Sequence, residues 1–360
     1  MNILLICNPK LYPSLDYDVP NSYLGLAKRK DVNLFHLDSR QVMAQEPGSH
    51  YILATKISEQ FTYQDFRELE KQPQELYSLQ DFDLVFCRTL KPFPSGYLDR
   101  LSSWEKFTKF VNSPSRKTEQ ISADFLFKVA KNWIPESIVT DDWQEAQAFW
   151  QKHQTIVSKQ VNSCGGRGVF KIWYEPGLFH VDNFQVGLRS FEHFSEVMDY
   201  ARGTTQAPLQ LVRYLSQVNQ GDKRIVVVDG EIYGAYIRRS KTGHWVNNVS
   251  GDGECILADV SDGERDAIAN TVKAYQERGL HTLGYDFLQD DDGQWCISEI
   301  NAGNIGGFFR LQQLTQTPVM DRFIDWLVYF AGVAESRYEF VSRKDAKAQR
   351  KKQRRIFSCF

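Results

Sequence analysis

Apolar residues in the first part of the chain form short runs that are separated by polar or helix-like stretches. The runs at residues 2–7, 33–37 and 83–87 have the length and composition of buried strands. Buried apolar strands that alternate with helical segments are typical of an α/β domain with a parallel sheet. Residues 48–80 are polar and show no clear period, so the pattern assigns them no element.

The pattern changes after Asn112-Ser-Pro114, where strands and helices alternate with glycine-rich turns. Helices are predicted over residues 122–132, 143–152, 262–278 and 318–331, and strands over 135–140, 155–159, 168–174 and 209–215. Two Asp-Gly pairs, Asp229-Gly230 and Asp292-Gly293, each lie between apolar runs and predict β-hairpins. No internal repeat is evident.

Length and composition indicate a globular protein with two or three domains: 360 residues, of which 42% are hydrophobic. No run approaches the 18 or so apolar residues that a membrane span needs. The N-terminus lacks a basic region and a cleavage site, which favours a first strand over a signal peptide. The six cysteines show no CxxC spacing, so we expect reduced thiols in a cytoplasmic protein.

The formal net charge of −2 conceals an uneven distribution. Residues 337–360 contain nine Lys/Arg and two Asp/Glu, which leaves 34 basic and 43 acidic residues in 1–336. An acidic body disfavours nucleic acid as the main ligand. The basic tail has few core-forming residues and is interpreted as disordered, with a nucleic-acid or membrane contact as the alternative.

The hairpin at residues 283–301 contains the most informative polar residues. If Asp292 and Gly293 form a two-residue turn, Asp286 lies directly opposite Glu299. Like charges in a cross-strand pair destabilise a sheet, so a cation is expected between them. Asn301 points to the same face and adds a third oxygen, and such ligands suit Mg²⁺ shared with phosphates. A solvated hairpin face is the alternative interpretation.

A glycine-rich loop follows a second polar position, Lys159. Gly165, Gly166 and Gly168 would let backbone N–H groups approach phosphate oxygens, and the lysine offers a point charge. The loop is neither a Walker loop nor a Rossmann fingerprint, because a strand follows it. An ordinary glycine turn is the alternative. Cys164 within it is interpreted as a small residue and not as a nucleophile.

Charged residues also precede and end the hairpin around Asp229-Gly230. Asp222 would suit ribose hydroxyls and Arg224 an anionic substrate, although an ordinary charged turn has the same composition. Arg238 and Arg239 are adjacent on a strand, so at most one of them points into a site. None of the seven histidines has the spacing of a metal site or a catalytic triad.

The order of these segments resembles the ATP-grasp superfamily, and within it bacterial glutathione synthetase, over about residues 83–331. The resemblance rests on residues 221–231, on Asp286 with Glu299 and Asn301, and on Lys159 with its loop. It implies an α/β (α+β) ATP-grasp fold with an N-terminal parallel-sheet α/β domain. The implied domains are N-terminal (1–112), central and lid (113–215) and C-terminal catalytic (216–336), followed by the tail (337–360).

The resemblance also implies an ADP-forming carboxylate–amine ligase that uses ATP and Mg²⁺, with Mn²⁺ as the alternative metal. Its partners would be a small carboxylate and an amine, with no membrane and with self-association into a homo-oligomer. Implied nucleotide contacts are Lys159, Gly165, Gly166, Gly168, Val212, Tyr214, Leu215 and Asp222. Implied metal ligands are Asp286, Glu299 and Asn301; implied catalytic and substrate residues are Arg224, Arg239, Asn248 and Arg88.

Three departures from the family pattern leave the substrate open, and one of them is the poor match of the N-terminal region before residue 81. The family has an ATP-contacting lysine where this chain has Asp124, so Lys117 or Lys128 would have to replace it. Residues 302–307 lack the Ser/Thr that the family uses for the glutathione end. The alternatives are a RimK-type ligase, which adds amino acids to a peptide or protein, and a nucleotide-binding protein that has lost catalysis.

Overall fold

A computed structural model describes residues 1–161, 163, 165–204, 207–241, 243–247 and 253–333. These residues form two compact units. The first contains Met1–Cys87, Ser103–Phe110 and the chain from Met320, and the second contains Arg88–Ser102 and Val111–Val319. The domain bounds given above stay a prediction, and the predicted tail lies outside the described residues.

The first unit is built on a sheet whose strand order is β4-β3-β2-β1-β5-β6. Its elements are β1 (Asn2–Cys7), α1 (Asp18–Ala27), β2 (Asn33–Asp38), β3 (Tyr51–Lys56), α2 (Tyr63–Arg67), β4 (Glu75–Ser78), β5 (Leu84–Cys87), β6 (Phe110–Val111) and a helix at 319–333. Short 3-10 turns lie at Pro9–Leu11, Ser39–Ala44, Leu69–Lys71 and Leu79–Asp81. Strand β1 pairs in parallel with β2 and β5, which confirms the predicted parallel sheet.

The stretch at 48–80, which had no assignment, supplies β3, α2 and β4. Strand β3 is antiparallel to both of its neighbours, so the sheet is mixed at this edge. Tyr51 and Leu53 on β3 and Leu76 on β4 are exposed. Because some apolar side chains of these strands face the core and others face solvent, apolar and polar residues do not alternate regularly in the sequence. The pattern therefore did not predict these strands.

The second unit contains two sheets. Its helices are α3 (Tyr97–Ser102), α4 (Pro114–Ile121), α5 (Ala123–Ala130), α6 (Trp143–His153), α7 (Phe194–Arg202), α8 (Asp262–Gln276) and α9 (Phe308–Thr315), with a 3-10 turn at Ser216–Gln220. Its strands are β7 (Ser137–Thr140), β8 (Ile156–Lys159), β9 (Val169–Glu175), β10 (Leu178–Asn183), β11 (Gly187–Phe191), β12 (Leu209–Arg213), β13 (Asp222–Val228), β14 (Glu231–Ser240), β15 (Gly253–Ala258), β16 (Thr282–Gln289) and β17 (Trp295–Asn301).

We name the two sheets of this unit after the polar residue that each contributes. The Lys159 sheet has the order β11-β10-β9-β8-β12-β7, and the Asp286 sheet has the order β15-β14-β13-β16-β17. Helices α6 and α7 cover one face of the Lys159 sheet, where Ile156, Ile172 and Leu211 are fully buried. Helices α5 and α8 cover one face of the Asp286 sheet. Each sheet therefore has a second face that carries its polar side chains.

Helix starts follow the expected chemistry. Asp142 caps α6 by accepting from the backbone N–H of Gln144. Ser261 and Glu264 form a reciprocal capping box at α8, as an acid three residues after a serine predicts. The predicted helix at 122–132 corresponds to α5, and α4 directly before it was not predicted.

Candidate active site

The polar face of the Lys159 sheet meets the polar face of the Asp286 sheet at Lys159. This residue lies on β8, opposite Val169 of β9 and Gln210 of β12. Its Nζ donates to the backbone carbonyl of Ser298 at 3.0 Å and to the Ser298 hydroxyl at 3.2 Å, and Ser298 belongs to β17. Burial lowers the pKa of Lys159, although the charges of Glu299 and Asp286 act to raise it.

Ser298 can accept this lysine because it forms a β-bulge. Strands β16 and β17 pair Phe287 with Ile297 but Asp286 with Glu299, which leaves Ser298 as the extra residue. A bulged residue is left out of the ladder, so its carbonyl is open to other donors. The bulge also reverses the alternation of side chains, so that Ile297 and Ile300 both face the core and Glu299 faces the polar side.

The predicted pairing of Asp286 with Glu299 is confirmed, but the predicted two-residue turn is wrong. Asp290 N–H donates to the Gln294 carbonyl at 2.8 Å, so residues 291–293 form a three-residue loop. The longer loop shifts the pairing of β17 with β16 by one residue, so that Phe287 pairs with Ile297. The extra residue at Ser298 restores the predicted register, in which Asp286 pairs with Glu299.

Asp286 is the centre of a buried ion cluster. Arg224, opposite it on β13, donates Nε to Oδ1 at 2.5 Å and Nη2 to Oδ2 at 2.9 Å. Arg238 of β14 donates to Oδ1 at 2.8 Å, and Asn301 donates Nδ2 to Oδ2 at 3.0 Å. Burial would raise the pKa of Asp286, but the two guanidinium groups and Lys159 outweigh it and lower the pKa. Asp286 is therefore a carboxylate held between fixed cations.

Asp222 extends this cluster along β13. Its Oδ1 accepts from Arg238 Nε at 2.5 Å. Burial and the neighbouring charge of Asp286 raise the pKa of Asp222, while Arg238 opposes the rise. The residue between Asp222 and Arg224, Lys223, alternates to the helix-covered face and forms a buried ion pair with Glu264 at 2.8 Å. Because side chains alternate along the strand, Lys223 stabilises the helix-covered face while Arg224 lies on the face that carries Asp286.

The residues fit a magnesium ion, but not as three equal ligands. Glu299 is half-buried, and no donor among the described residues reaches its carboxylate. Asn301 gives its amide N–H to Asp286, which leaves its carbonyl oxygen for a cation. The Asp286 oxygens already accept four hydrogen bonds, about the full capacity of a carboxylate. Glu299 and Asn301 therefore fit a metal directly, and Asp286 would have to release a partner.

The glycine loop adopts the backbone conformation that its composition predicts. Gly165 and Gly166 have φ of 63° and 76°, which L side chains rarely adopt. Buried Asn183 of β10 donates its amide to the carbonyls of Arg167 and Val169, both at 2.9 Å. Because this amide fixes the carbonyls, it holds the loop in place. Sequence reasoning missed Asn183, which lies on a strand that was not predicted.

Val212, Tyr214 and Leu215 lie at the other end of the same sheet. Strand β12 is antiparallel to β8 and pairs Gln210 with Lys159 and Arg213 with Ile156. The two ends are therefore about 10 Å apart along the strands. Val212 and Leu215 are buried and Tyr214 is half-buried. We call the region between the two polar faces the cleft; the glycine loop and Lys159 lie at one end of it and the apolar residues Val212 and Leu215 at the other.

The remaining predicted residues differ in what the structure shows of them. Arg239 is exposed and donates to the backbone carbonyl of Gln220. Arg88 is buried, and its carbonyl accepts from Asn304. Asn248 lies outside the described residues. The roles predicted for these three side chains stay predictions, and the structure adds Arg238 as the arginine that contacts both Asp222 and Asp286.

A family model described as the prokaryotic glutathione synthetase ATP-grasp domain matches residues 125–316, which is more than half of the chain and includes both sheets. The chain belongs to this family. It is an ATP-dependent, ADP-forming ligase of the ATP-grasp superfamily and uses ATP with Mg²⁺. The expected ATP-grasp fold is thereby confirmed.

Curated relatives of this ATP-grasp ligase support the same family. The glutathione synthetase of Parasynechococcus marenigrum (strain WH8102) is 26% identical over 260 residues, which cover 70% of this chain and 77% of the relative. That of Mesorhizobium japonicum (strain LMG 29417 / CECT 9101 / MAFF 303099) is 25% identical over 300 residues, covering 82% and 83%.

Solved structures share the fold of this ligase at lower identity. D-cycloserine synthetase DcsG has a TM-score of 0.60 at 12% identity, covering 91% of this chain and 99% of that one. The ATP-grasp ligase PsnB, complexed with a minimal precursor, Mg and ADP, has a TM-score of 0.53 at 16% identity, covering 92% and 98%. Among the described residues, no helix has the length and apolar character to cross a membrane.

Proposed function

We propose that this ligase joins a small peptide carboxylate to an amino acid amine, in the manner of a glutathione synthetase, through an acyl phosphate. The observation that supports this most directly is the contact between Lys159 and Ser298. It brings a phosphate-binding cation beside Glu299 and the Asp286 cluster. The curated relatives, named as glutathione synthetases, favour γ-glutamylcysteine and glycine as the substrates.

The first step would transfer the γ-phosphoryl group. A substrate carboxylate oxygen attacks the γ-phosphorus, the bond from that phosphorus to the β,γ-bridging oxygen breaks, and ADP leaves. Lys159 binds phosphate oxygens, and the loop from Gly165 to Gly168 donates backbone N–H groups to them. Glu299 and the Asn301 carbonyl would hold Mg²⁺, which supplies positive charge to the phosphates.

The second step would form the amide. The amine nitrogen attacks the acyl carbon, the carbon–oxygen bond to phosphate breaks, and the nitrogen loses a proton as inorganic phosphate leaves. Arg224 and Arg238 are held in place by their hydrogen bonds to Asp286. These bonds use only part of the N–H groups of each guanidinium, so the two side chains can orient an anionic group without moving. Water must be excluded because it hydrolyses acyl phosphates, and closure of the glycine loop would exclude it.

The other roles follow the same assignment. Val212, Tyr214 and Leu215 would contact the adenine base, Asp222 the ribose, and Arg88 and Asn248 the substrate or the transferred phosphate. Arg238, which contacts Asp222 and Asp286, would take the role predicted for Arg239. The reaction would take place in the cytoplasm, and assembly into a homo-oligomer stays a prediction.

An assay of ADP release separates the candidate functions. Wild-type protein is incubated with Mg·ATP, γ-glutamylcysteine and each of a panel of amino acids, and with peptides ending in glutamate. Turnover that requires γ-glutamylcysteine and glycine supports the proposal. Turnover with a peptide and a free amino acid indicates a RimK-type ligase instead, and ATP binding without ADP release on every substrate pair indicates lost catalysis.

The metal assignment has its own test. Glu299→Gln removes one charge from the metal position, so ADP release should fall by about a hundredfold or more. The matched control is Glu277→Gln, because Glu277 is an exposed acid at the end of α8. Both variants should unfold at the wild-type temperature in a thermal scan. Wild-type turnover by Glu299→Gln would show that the metal assignment is wrong.

A further inference from the structure

A pocket of about 320 Å³ lies in the first unit, at the carboxyl end of β2. Buried His36, Asp38 and Leu69 form its floor, and exposed Arg40 and Glu70 lie on its rim. Every lining residue belongs to the first unit, whereas the candidate active site is built from residues of the second. The proposed function therefore gives this pocket no role.

The floor of the pocket contains a buried N–H donor without an acceptor. His36 Nδ1 lies 2.6 Å from the Tyr23 hydroxyl, while the Leu5 carbonyl lies 3.4 Å from the same hydroxyl. The shorter contact assigns the hydroxyl proton to the bond with Nδ1, so the neutral imidazole carries its own proton on Nε2. Burial lowers the pKa of His36 to about 4, which keeps the ring neutral at pH 7. Nε2 is buried and has no hydrogen-bond partner among the described residues.

A second polar atom beside His36 is in the same condition. Thr55 lies opposite His36 in the pairing of β2 with β3, and its buried hydroxyl makes no hydrogen bond within the part of the chain that the structure describes. Side chains of residues paired across two strands lie on the same face of the sheet. Buried polar groups in native proteins are nearly always hydrogen-bonded, so two such atoms on one face are suited to bind a polar group.

The rim of the pocket adds groups of both charges. Arg40 donates Nε and Nη2 to Asp38 at 3.0 and 2.6 Å, and Nη2 also donates to Glu70 at 3.3 Å. Its Nη1 has no partner among the described residues. Glu70 uses Oε2 for Arg40 and for Lys10, at 2.8 Å from the lysine, and Oε1 accepts nothing from the described residues. The pocket therefore offers two donors, His36 Nε2 and Arg40 Nη1, together with a carboxylate acceptor.

We propose that this pocket binds a free amino acid, whose carboxylate accepts from His36 and Arg40 and whose ammonium group lies against Glu70. The positive charges of Arg40 and Lys10 balance the negative charges of Asp38 and Glu70, which favours a zwitterion over an ion of one sign. No aromatic ring of the described residues lines the pocket, which disfavours a sugar. A volume of about 320 Å³ is at the small end of the range for ligand pockets. The inference is independent of the proposed function.

Calorimetry with the full chain, in the absence of ATP, tests this inference. The ligands are glycine, L-serine and L-glutamine, with acetate and methylammonium as ligands that carry one charge each. The variants are Arg40→Gln, Glu70→Gln and the control Arg29→Gln, since Arg29 is also an exposed arginine paired with an aspartate. At least one amino acid should bind wild type, and Arg40→Gln and Glu70→Gln should each weaken it by roughly tenfold or more. Arg29→Gln should match wild type, and acetate and methylammonium should bind much more weakly than the amino acid.

The proposed function also uses an amino acid, so the variants must distinguish the two sites. Amino-acid binding that Arg40→Gln and Glu70→Gln both retain takes place elsewhere and overturns the inference, while ADP release still decides the proposed function. The inference is also overturned if wild type binds none of the three amino acids, or if acetate binds as tightly as they do, which indicates a site for an anion alone. Circular dichroism separates lost binding from lost folding. If Arg40→Gln is misfolded, Glu70→Gln decides, and wild-type affinity in that variant overturns the inference.

Discussion

The two hairpins of the Asp286 sheet start from the same dipeptide and form different turns. In β13–β14, Asp229 and Gly230 have φ of 48° and 86°, and Val228 pairs with Glu231, which defines a two-residue turn of type I′. In β16–β17, Asp290 pairs with Gln294 across a three-residue loop in which only Gly293 has a positive φ, of 78°. Asp-Gly between apolar runs therefore predicts a hairpin but not its loop length.

Contacts outside the second hairpin account for the difference. Asp290 accepts from the backbone N–H groups of Asp292 and Gln294 through its side chain. Asp291 accepts from Ser216 and pairs with Arg213, both at the end of the Lys159 sheet. Asp291 is bonded to the other sheet and cannot also pair with Gln294 across the hairpin. Asp290 pairs with Gln294 instead, so Asp291 becomes part of the loop.

Each hairpin also contains one bulge, and each bulge determines which charged residue faces the cleft. In β14 the register shifts between Val226 and Val227, which places Arg238 opposite Asp222. A straight ladder from the same turn would place Ile237 there and direct Arg239 to the polar face. In β17 the bulge at Ser298 places Glu299 on the polar face in the same way.

The largest expected effect comes from the buried end of the second hairpin. Asp286→Ala leaves Arg224 and Arg238 without their shared carboxylate, so the free energy of unfolding should fall by about 3–5 kcal/mol. The control in the loop is Asp291→Ala, which breaks a half-exposed pair and should cost about 1 kcal/mol or less. Urea denaturation measures both. Equal losses would show that Asp286 is not a buried counter-ion.

An intermediate effect is expected from the bulge. Deletion of Ser298 gives a straight ladder that still places Glu299 opposite Asp286, but it removes the carbonyl that accepts from Lys159. The ATP affinity should fall by roughly 10- to 100-fold, the effect of losing a hydrogen bond to a charged group. The comparison variant Ser298→Ala keeps the carbonyl and should lose less. Wild-type affinity after the deletion would contradict a role for the bulge in positioning Lys159.

The smallest effect separates the two turns. Gly230→Ala and Gly293→Ala each put a side chain at a positive φ, at a cost of about 1–2 kcal/mol. A Cβ at Gly230 would also meet Gln276 Nε2 at 3.2 Å, whereas a Cβ at Gly293 meets nothing within 4 Å. Thermal unfolding should therefore be lowered more by Gly230→Ala. A larger loss in Gly293→Ala would indicate that the three-residue loop is the more constrained turn.

Most elements of the second unit followed from periodicity, but helices α7 and α9 and strand β15 were not predicted. Strands β8, β9, β12, β13 and β16 and helices α6 and α8 lie close to their predicted bounds. Strand β11 was missed because it is largely exposed and carries little apolar pattern. Strand β10 was missed although buried positions alternate along it. Asn183 was missed with β10. Nothing in a single sequence indicates that an asparagine on an unpredicted strand will fix a glycine loop.

The bulges left a signal in the sequence. Ile297 and Ile300 are three positions apart and both pack in the core, as do Ile232 and Ala235. A regular strand directs residues three apart to opposite faces, so such a pair implies either a bulge or an exposed apolar residue. Read in this way, the pattern would have placed Arg238 on the polar face instead of Arg239.

The amino-acid sequence by itself determined the family, the order of the elements and the residues that carry charge, because periodicity and turn chemistry act over a few residues. It also indicated that Asp286 faces Glu299. Tertiary structure decided the loop length and the two bulges. The bulges in turn decided that Arg238 faces the cleft instead of Arg239, and Glu299 instead of Ser298. The reason is that strand register depends on burying apolar side chains against α5 and α8 and on contacts between the two sheets. These contacts join residues far apart in the chain, and local sequence carries only their traces.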